Sequence, residues 1–200
     1  MCETQTLFLL EVKMGLHVHN LGNLPNTIDG RDYFIYVLDY GWKEPLTDTL
    51  IANFTNMARK ASESRSMVIS GIEPVHFANE VFSWHSINGE DGESVLPAVM
   101  ISTLTPSYFR EHNNEGRKAD EIDDQLMLIP LKAVCETTDD VIRLINSIFN
   151  DIKLKKELTG FDVVKTLKKG NGNRFADALI LEPNFSGIGV NLKKLFNWGG

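Results

Sequence analysis

The apolar run at residues 33–38, YFIYVL, constrains the fold of this 200-residue chain more than any other stretch. Six residues are too few for a helix of ordinary length, and aromatic and β-branched side chains predominate. This pattern indicates a strand buried on both faces, at the centre of an α/β sheet. An exposed turn at Gly41 and Trp42 follows, and Pro45 then fits the first turn of a helix without losing a hydrogen bond. Apolar residues recur at helical spacing over 50–61, so the predicted unit is strand, turn and helix.

The rest of the chain continues this alternation of strands and helices. Further strands are predicted at residues 16–19, 66–71, 95–103 and 126–134, and further helices at 74–85 and 141–152. Cap candidates at 137–140 precede the last of these helices. Residues 104–125 are mostly charged or polar and are predicted to be an insert. Two short apolar stretches, 178–181 and 188–192, are predicted to form a hairpin. The predicted fold class is α/β.

Composition and charge narrow the possible partners and the compartment. The net charge of −7 argues against a general binder of the nucleic-acid backbone. Residues 152–200 carry nine Lys or Arg against four Asp or Glu, so nucleic acid is expected to bind only through this basic segment. The two cysteines, Cys2 and Cys135, have neither disulfide-framework nor metal-site spacing, which indicates a reducing compartment. No apolar run approaches membrane-spanning length, so a cytoplasmic protein without a membrane partner is predicted.

Two local features accompany an order of elements that resembles the thioredoxin fold over about residues 33–152. Residues 42–46, Trp-Lys-Glu-Pro-Leu, here called the WKEPL corner, are similar to the Trp-Cys-Gly-Pro-Cys corner of that family. Pro97 is similar in position to the cis-proline that opens the family's third strand. The resemblance implies a mixed central sheet flanked by helices. It also implies that a bound polypeptide would contact Trp42, Lys43, Glu44, Pro45 and Pro97.

The departures from the family pattern imply that the redox activity is lost. Thiol–disulfide exchange needs an attacking thiolate and usually a resolving thiol, but the two positions hold Lys43 and Leu46. Active thioredoxins bury an acid five residues before the Trp, where this chain has Val37. Cys135 lies away from the corner and is predicted to be an inert buried thiol. A thioredoxin-like protein-interaction module or adaptor is therefore predicted, with no catalytic residues, metal or cofactor and with a protein partner of unknown identity.

The resemblance divides the chain into three parts. Residues 1–32 are predicted to be an N-terminal strand and loop extension, and 33–152 the thioredoxin-like domain that contains the polar insert. Residues 153–200 are predicted to be a basic C-terminal extension. Added segments of this kind commonly cover a sheet edge or build a partner surface.

Two other hypotheses come from different classes of protein. His17 and His19 alternate on a predicted strand and could share a metal ion, and Glu11 and Lys13 have the spacing of a nuclease Glu-x-Lys element. Either pair would suit a metal-dependent hydrolase or nuclease, although the further ligands such a site needs are not evident. The third hypothesis is a structural subunit of a homo-oligomer, in which the acidic body and the basic tail pack against other copies of the chain.

Overall fold

A computed structural model describes residues 14–24, 30–85, 87–88, 95–112, 126–171, 180–181 and 190–191 of the chain. These residues form an α/β fold, in which a mixed sheet is flanked by helices on both faces. The predicted fold class is therefore confirmed at this level. Within the described part of the chain, no helix is both long and apolar enough to cross a membrane.

The described residues contain eight strands, which lie in two sheets. In chain order they are β1 (Gly15–Val18), β2 (Tyr33–Leu38), β3 (Ser66–Gly71), β4 (Ile87–Asn88), β5 (Ala98–Ser102), β6 (Leu126–Pro130), β7 (Ile180–Leu181) and β8 (Val190–Asn191). The main sheet has the order β1-β3-β2-β5-β6-β7. Strands β1, β3 and β2 run parallel, β5 is antiparallel to both β2 and β6, and β7 is antiparallel to β6. Strands β4 and β8 form a small parallel pair.

Seven α-helices connect and cover these strands in the described residues. They are α1 (Pro45–Ala52), α2 (Phe54–Ser62), α3 (Pro74–Trp84), α4 (Pro106–His112), α5 (Leu131–Val134), α6 (Thr138–Lys153) and α7 (Asp162–Asn171), with short 3-10 turns at Leu21–Asn23 and Leu158–Gly160. Helix α6 begins with a capping box, in which Thr137 and Asp140 each bond the other's backbone N–H.

Strand β2 lies at the centre of the main sheet and is buried along its whole length, as its sequence predicts. Its alternate side chains enter two separate cores. Ile35 and Val37 pack with residues of α1, α2, α6 and α7 on one face. Phe34, Tyr36 and Leu38 pack with residues of α3 and α4 on the other. Because β2 and β3 are parallel neighbours, the segments that follow them leave the sheet side by side.

The structure has two helices where one is predicted over residues 45–61, because the helix is interrupted at Asn53. The Asn53 backbone N–H lies 3.1 Å from the Thr49 carbonyl oxygen and 3.2 Å from that of Leu50. Its side-chain amide also donates to the Thr49 oxygen, at 2.9 Å. An Asn side chain that competes for backbone carbonyls in this way favours a turn over a continuing helix.

Several other sequence predictions differ from the structure. The strand predicted at 126–134 ends early, at Pro130, because the chain turns into α5 at Leu131, whose carbonyl oxygen accepts the Cys135 N–H. The predicted hairpin is wrong, since β7 pairs with β6 at the edge of the main sheet and β8 pairs with β4.

Part of the predicted insert is helical, and Phe109 of α4 is buried in the core. Leu158 and Phe161, beyond the predicted boundary at 153, belong to the core as well. The three-part division of the chain stays a prediction.

Candidate partner-binding site

The WKEPL corner joins the end of β2 to the start of α1. Gly41 precedes it in the left-handed region, with φ of +73°, which favours glycine. Its backbone N–H donates to Asp39 Oδ1 at 2.5 Å. Glu44 is extended and caps α1, and Pro45 occupies the first turn as predicted. The corner is therefore a tight turn fixed at both ends.

Trp42 is the most prominent side chain at the corner. It is 52% exposed, an unusual state for so large an apolar group. Its ring centroid lies 5.8 Å from that of Tyr40, in a tilted arrangement. Lys43 and Pro45 beside it are also exposed. Leu46, in contrast, packs against the core.

Lys132 of α5, 90 residues farther along the chain, reaches this corner. Its ammonium nitrogen lies 3.1 Å from Glu44 Oε2 and 6.0 Å from the centre of the Trp42 ring. Both groups of this ion pair are partly in solvent, so the pair contributes only about 0–1 kcal/mol to stability. Its more useful effect is geometric, because it ties Trp42 and Glu44 to a second segment of the chain.

Pro97 is buried at the entrance of β5, and the Leu96–Pro97 peptide is cis, as the resemblance implies. Its carbonyl oxygen accepts a hydrogen bond of 2.8 Å from the N–H of Leu131, the residue before Lys132. Pro97 is thus linked through α5 to the corner. The surface of this candidate site consists of the predicted residues Trp42, Lys43, Glu44 and Pro45. Pro97 is buried, and its link to this surface is the bond from the Leu131 N–H.

The loop after β3 adds apolar surface beside the corner. Strands β2 and β3 are parallel with Val37 opposite Ser70, so the segments that follow them leave the same sheet edge. A Cβ placed on Gly41 would lie 3.8 Å from Pro74 Cγ, which shows how close these segments come. Ile72 and Val75 are each about half exposed. Together with Trp42 they are three of the six large apolar residues that the described part of the chain exposes.

The sequence reasoning missed four residues of this site. Ile72 and Val75 meet the corner only through the pairing of β2 with β3, and the other two are Lys132 and Asp39. Lys132 carries no local signal, because its role depends on the distance between α5 and the corner in the fold. Asp39 has a weak local signal. It stands two residues before a Gly at the end of an apolar strand, a pattern that is typical of an Asx turn. Asp39 is 6% exposed, and burial raises the pKa of its carboxyl, while the bond from the Gly41 N–H opposes the rise.

No thiol is present at the two corner positions that correspond to the family's cysteines, which hold Lys43 and Leu46. Cys135 is buried and free, as predicted. Burial raises the pKa of its thiol to about 11, with a smaller contribution from Asp140. Such a thiol is almost wholly protonated at neutral pH and is a poor nucleophile.

The alternative metal-binding residues receive little structural support. His17 and His19 lie in and just after the edge strand β1, but His17 Nδ1 is 2.6 Å from Ser70 Oγ and its ring packs on Phe54 with centroids 4.1 Å apart. Among the described residues, no three His, Cys, Asp or Glu side chains cluster as a metal site would require. Glu11 and Lys13 lie outside the described residues.

No protein-family model, curated protein or solved structure matches this chain. Its function is therefore inferred from the geometry of the corner and its surroundings.

Proposed function

We propose that this chain is a thioredoxin-like protein-interaction module without thiol–disulfide oxidoreductase activity, which binds a protein partner at the WKEPL corner. The observation that carries the proposal is the half-exposed Trp42, held in place by Tyr40 and Lys132 on a turn that has no thiol. A large aromatic side chain that is both exposed and fixed is typical of an interaction hot spot, because little entropy is lost when a partner covers it.

The thioredoxin-like part of the proposal is supported by topology. The order β1-β3-β2-β5-β6, with β5 antiparallel to its neighbours, agrees with the arrangement that the resemblance implies. Helix α1 begins at Pro45, within the corner, and Pro97 lies at the entrance of β5. These features fit the family with both active-site cysteines replaced.

The partner surface is larger than the corner itself. Trp42 supplies exposed apolar area from the corner, and Ile72 and Val75 supply it from the adjacent loop and the first turn of α3. Lys43 and Lys132 supply charge at its border. An apolar centre with a charged border is the usual arrangement of a protein interface. Neither the hydrolase or nuclease hypothesis nor the homo-oligomer hypothesis has a comparable observation in its favour within the described residues.

Capture from the native cell extract tests the proposal. The wild type is compared with Trp42→Ala/Lys43→Glu, and Leu154→Ala/Lys153→Glu is the matched control, because it makes the same kinds of change on exposed residues at the end of α6. Wild type and control are expected to retain one partner, and the corner variant to lose about tenfold or more of its affinity, as for a truncated hot spot.

Two results would contradict the proposal. Equal capture by the corner variant and the wild type would remove the corner as the binding site. Reduction of a model disulfide by the purified wild type, at a rate above that of buffer, would show that the loss of oxidoreductase activity is wrong.

A further inference from the structure

We infer that Asp39 is a positioning residue for the WKEPL corner, which fixes the direction in which Trp42 is presented. The inference deepens the proposed function and rests on it for its biological meaning. Its structural content, that the Asp39 carboxylate controls the environment of Trp42, is independent of any partner.

The geometry around Asp39 carries the inference. It is the first residue after β2, and the residue as a whole is buried. Oδ1 accepts the N–H of Gly41 at 2.5 Å, and Gly41 has the left-handed backbone that this turn requires. Trp42 is the next residue. The carboxylate therefore holds the peptide from which the exposed indole projects, in the manner of an Asx turn.

A buried carboxylate at this position is costly to the fold. Burial disfavours the charged form, and the pKa of Asp39 is raised in consequence. A carboxyl whose pKa is higher in the folded than in the unfolded state stabilises the fold at low pH, and this contribution is lost as the pH rises through the folded pKa. At neutral pH Asp39 thus lowers stability. Residues that break a local rule without stabilising the fold are commonly retained for function.

The charged groups on the neighbouring segments do not neutralise Asp39. Lys43 and Glu44 follow it in the corner, Glu73 precedes α3, and Lys132 extends from α5. Glu44 and Lys132 are paired with each other. Asp39 itself has no salt-bridge partner within the described part of the chain, and its main polar contact is the Gly41 N–H.

Protonation should therefore loosen the corner. A neutral carboxyl is a weaker hydrogen-bond acceptor than a carboxylate. As the pH falls through the raised pKa of Asp39, the hold on the Gly41 N–H weakens and Trp42 becomes more mobile. The transition is expected above the ordinary aspartate range of about 3.9.

Acrylamide quenching of Trp42 fluorescence tests this inference on the full chain. Trp84 and Trp198 also emit, so each protein is measured with and without Trp42→Phe, and the difference is the Trp42 signal. Asp39→Asn keeps an acceptor oxygen without a charge, and Asp39→Ala removes the acceptor. Glu44→Gln is the matched control, because it removes a neighbouring carboxylate and leaves Asp39 in place.

In the wild type, the Trp42 quenching constant is expected to rise as the pH falls, with a midpoint above 3.9. The same midpoint should persist in Glu44→Gln and disappear in Asp39→Asn, whose uncharged amide should give a pH-independent constant above the neutral-pH value of the wild type. At pH 7 this variant should also unfold at a higher temperature than the wild type. Asp39→Ala should show the higher constant already at pH 7.

An unchanged midpoint in Asp39→Asn would overturn the inference, even if Asp39→Ala fails to fold. So would a folded Asp39→Ala whose Trp42 quenches like the wild type. Neither readout uses a partner, so a failure here is distinguishable from a failure of partner capture.

Discussion

The imidazole of His85 is fully buried between α3, α4 and the sheet. Its Nδ1–H donates to the Val81 carbonyl oxygen at 2.7 Å, and its ring lies 4.2 Å from that of Phe109 and 5.1 Å from that of Tyr36. Among the described residues, neither its Nε2 nor the Tyr36 hydroxyl has a hydrogen-bond partner. A proton on Nε2 would have no acceptor, and burial lowers the pKa of His85 to about 4.

We expect His85 to make the protein less stable in mild acid. The pKa of His85 is lower in the folded than in the unfolded state. Below about pH 6.5 this imidazole therefore binds a proton in the unfolded chain but not in the folded protein. The free energy of unfolding should therefore fall as the pH falls from 6.5 to 4, by about 3 kcal/mol in total. Urea unfolding at several pH values measures this slope.

Two variants separate His85 from the other acid-sensitive groups. His85→Leu should reduce the slope between pH 6.5 and 4, and the Val81 oxygen keeps the backbone N–H of residue 85 as a donor. His76→Gln, at an exposed position of α3, should leave the slope unchanged. An equal slope in wild type and His85→Leu would show that another group is responsible.

At the scale of elements, β3 and α3 approach so closely that a side chain is excluded at Gly71. A Cβ at this position would lie 2.1 Å from Phe77 Cβ and 2.6 Å from Phe77 Cγ. Gly71 is the last residue of β3, immediately before Ile72 and the start of α3, which carries Val75. This close contact therefore determines where that part of the proposed partner surface lies.

Gly71→Ala should lower the free energy of unfolding by about 1–3 kcal/mol, because overpacking forces the helix and strand apart. Gly160→Ala is the control, since its nearest neighbour would be Lys156 Cβ at an ordinary 3.9 Å. It should change stability by no more than about 0.5 kcal/mol. Denaturant unfolding of both variants gives the comparison, and equal stabilities would contradict the packing described for β3 and α3.

Elements whose signals are local were predicted well. The bounds of β2 and β3 follow from short apolar runs, and α6 follows from its capping residues and its apolar stripe. The break at Asn53 and the short helix after Pro130 depend on hydrogen bonds that compete with regular structure, which periodicity does not reveal. The pairing of β7 and β8 with separate edges depends on long-range contacts and was predicted wrongly.

At the scale of the whole molecule, the site combines residues that are distant in sequence. Trp42, its neighbours in the corner and Pro97 were all proposed as contact residues from the resemblance. Lys132, Ile72 and Val75 were not, since they meet the corner only through the parallel pairing of β2 with β3 and the contact of α5 with Pro97. Sequence reasoning thus predicted the corner, and the fold supplies the rest of the surface.

Site-specific photo-crosslinking tests the central claim most directly. Lys43, Val75 and, as control, Leu154 are replaced one at a time by benzoylphenylalanine, and each protein is irradiated in the native cell extract. The account predicts an adduct with the same partner from position 43 in the corner and from position 75 in the first turn of α3, and none from position 154. A partner that crosslinks from position 154 and from neither of the other two would contradict it.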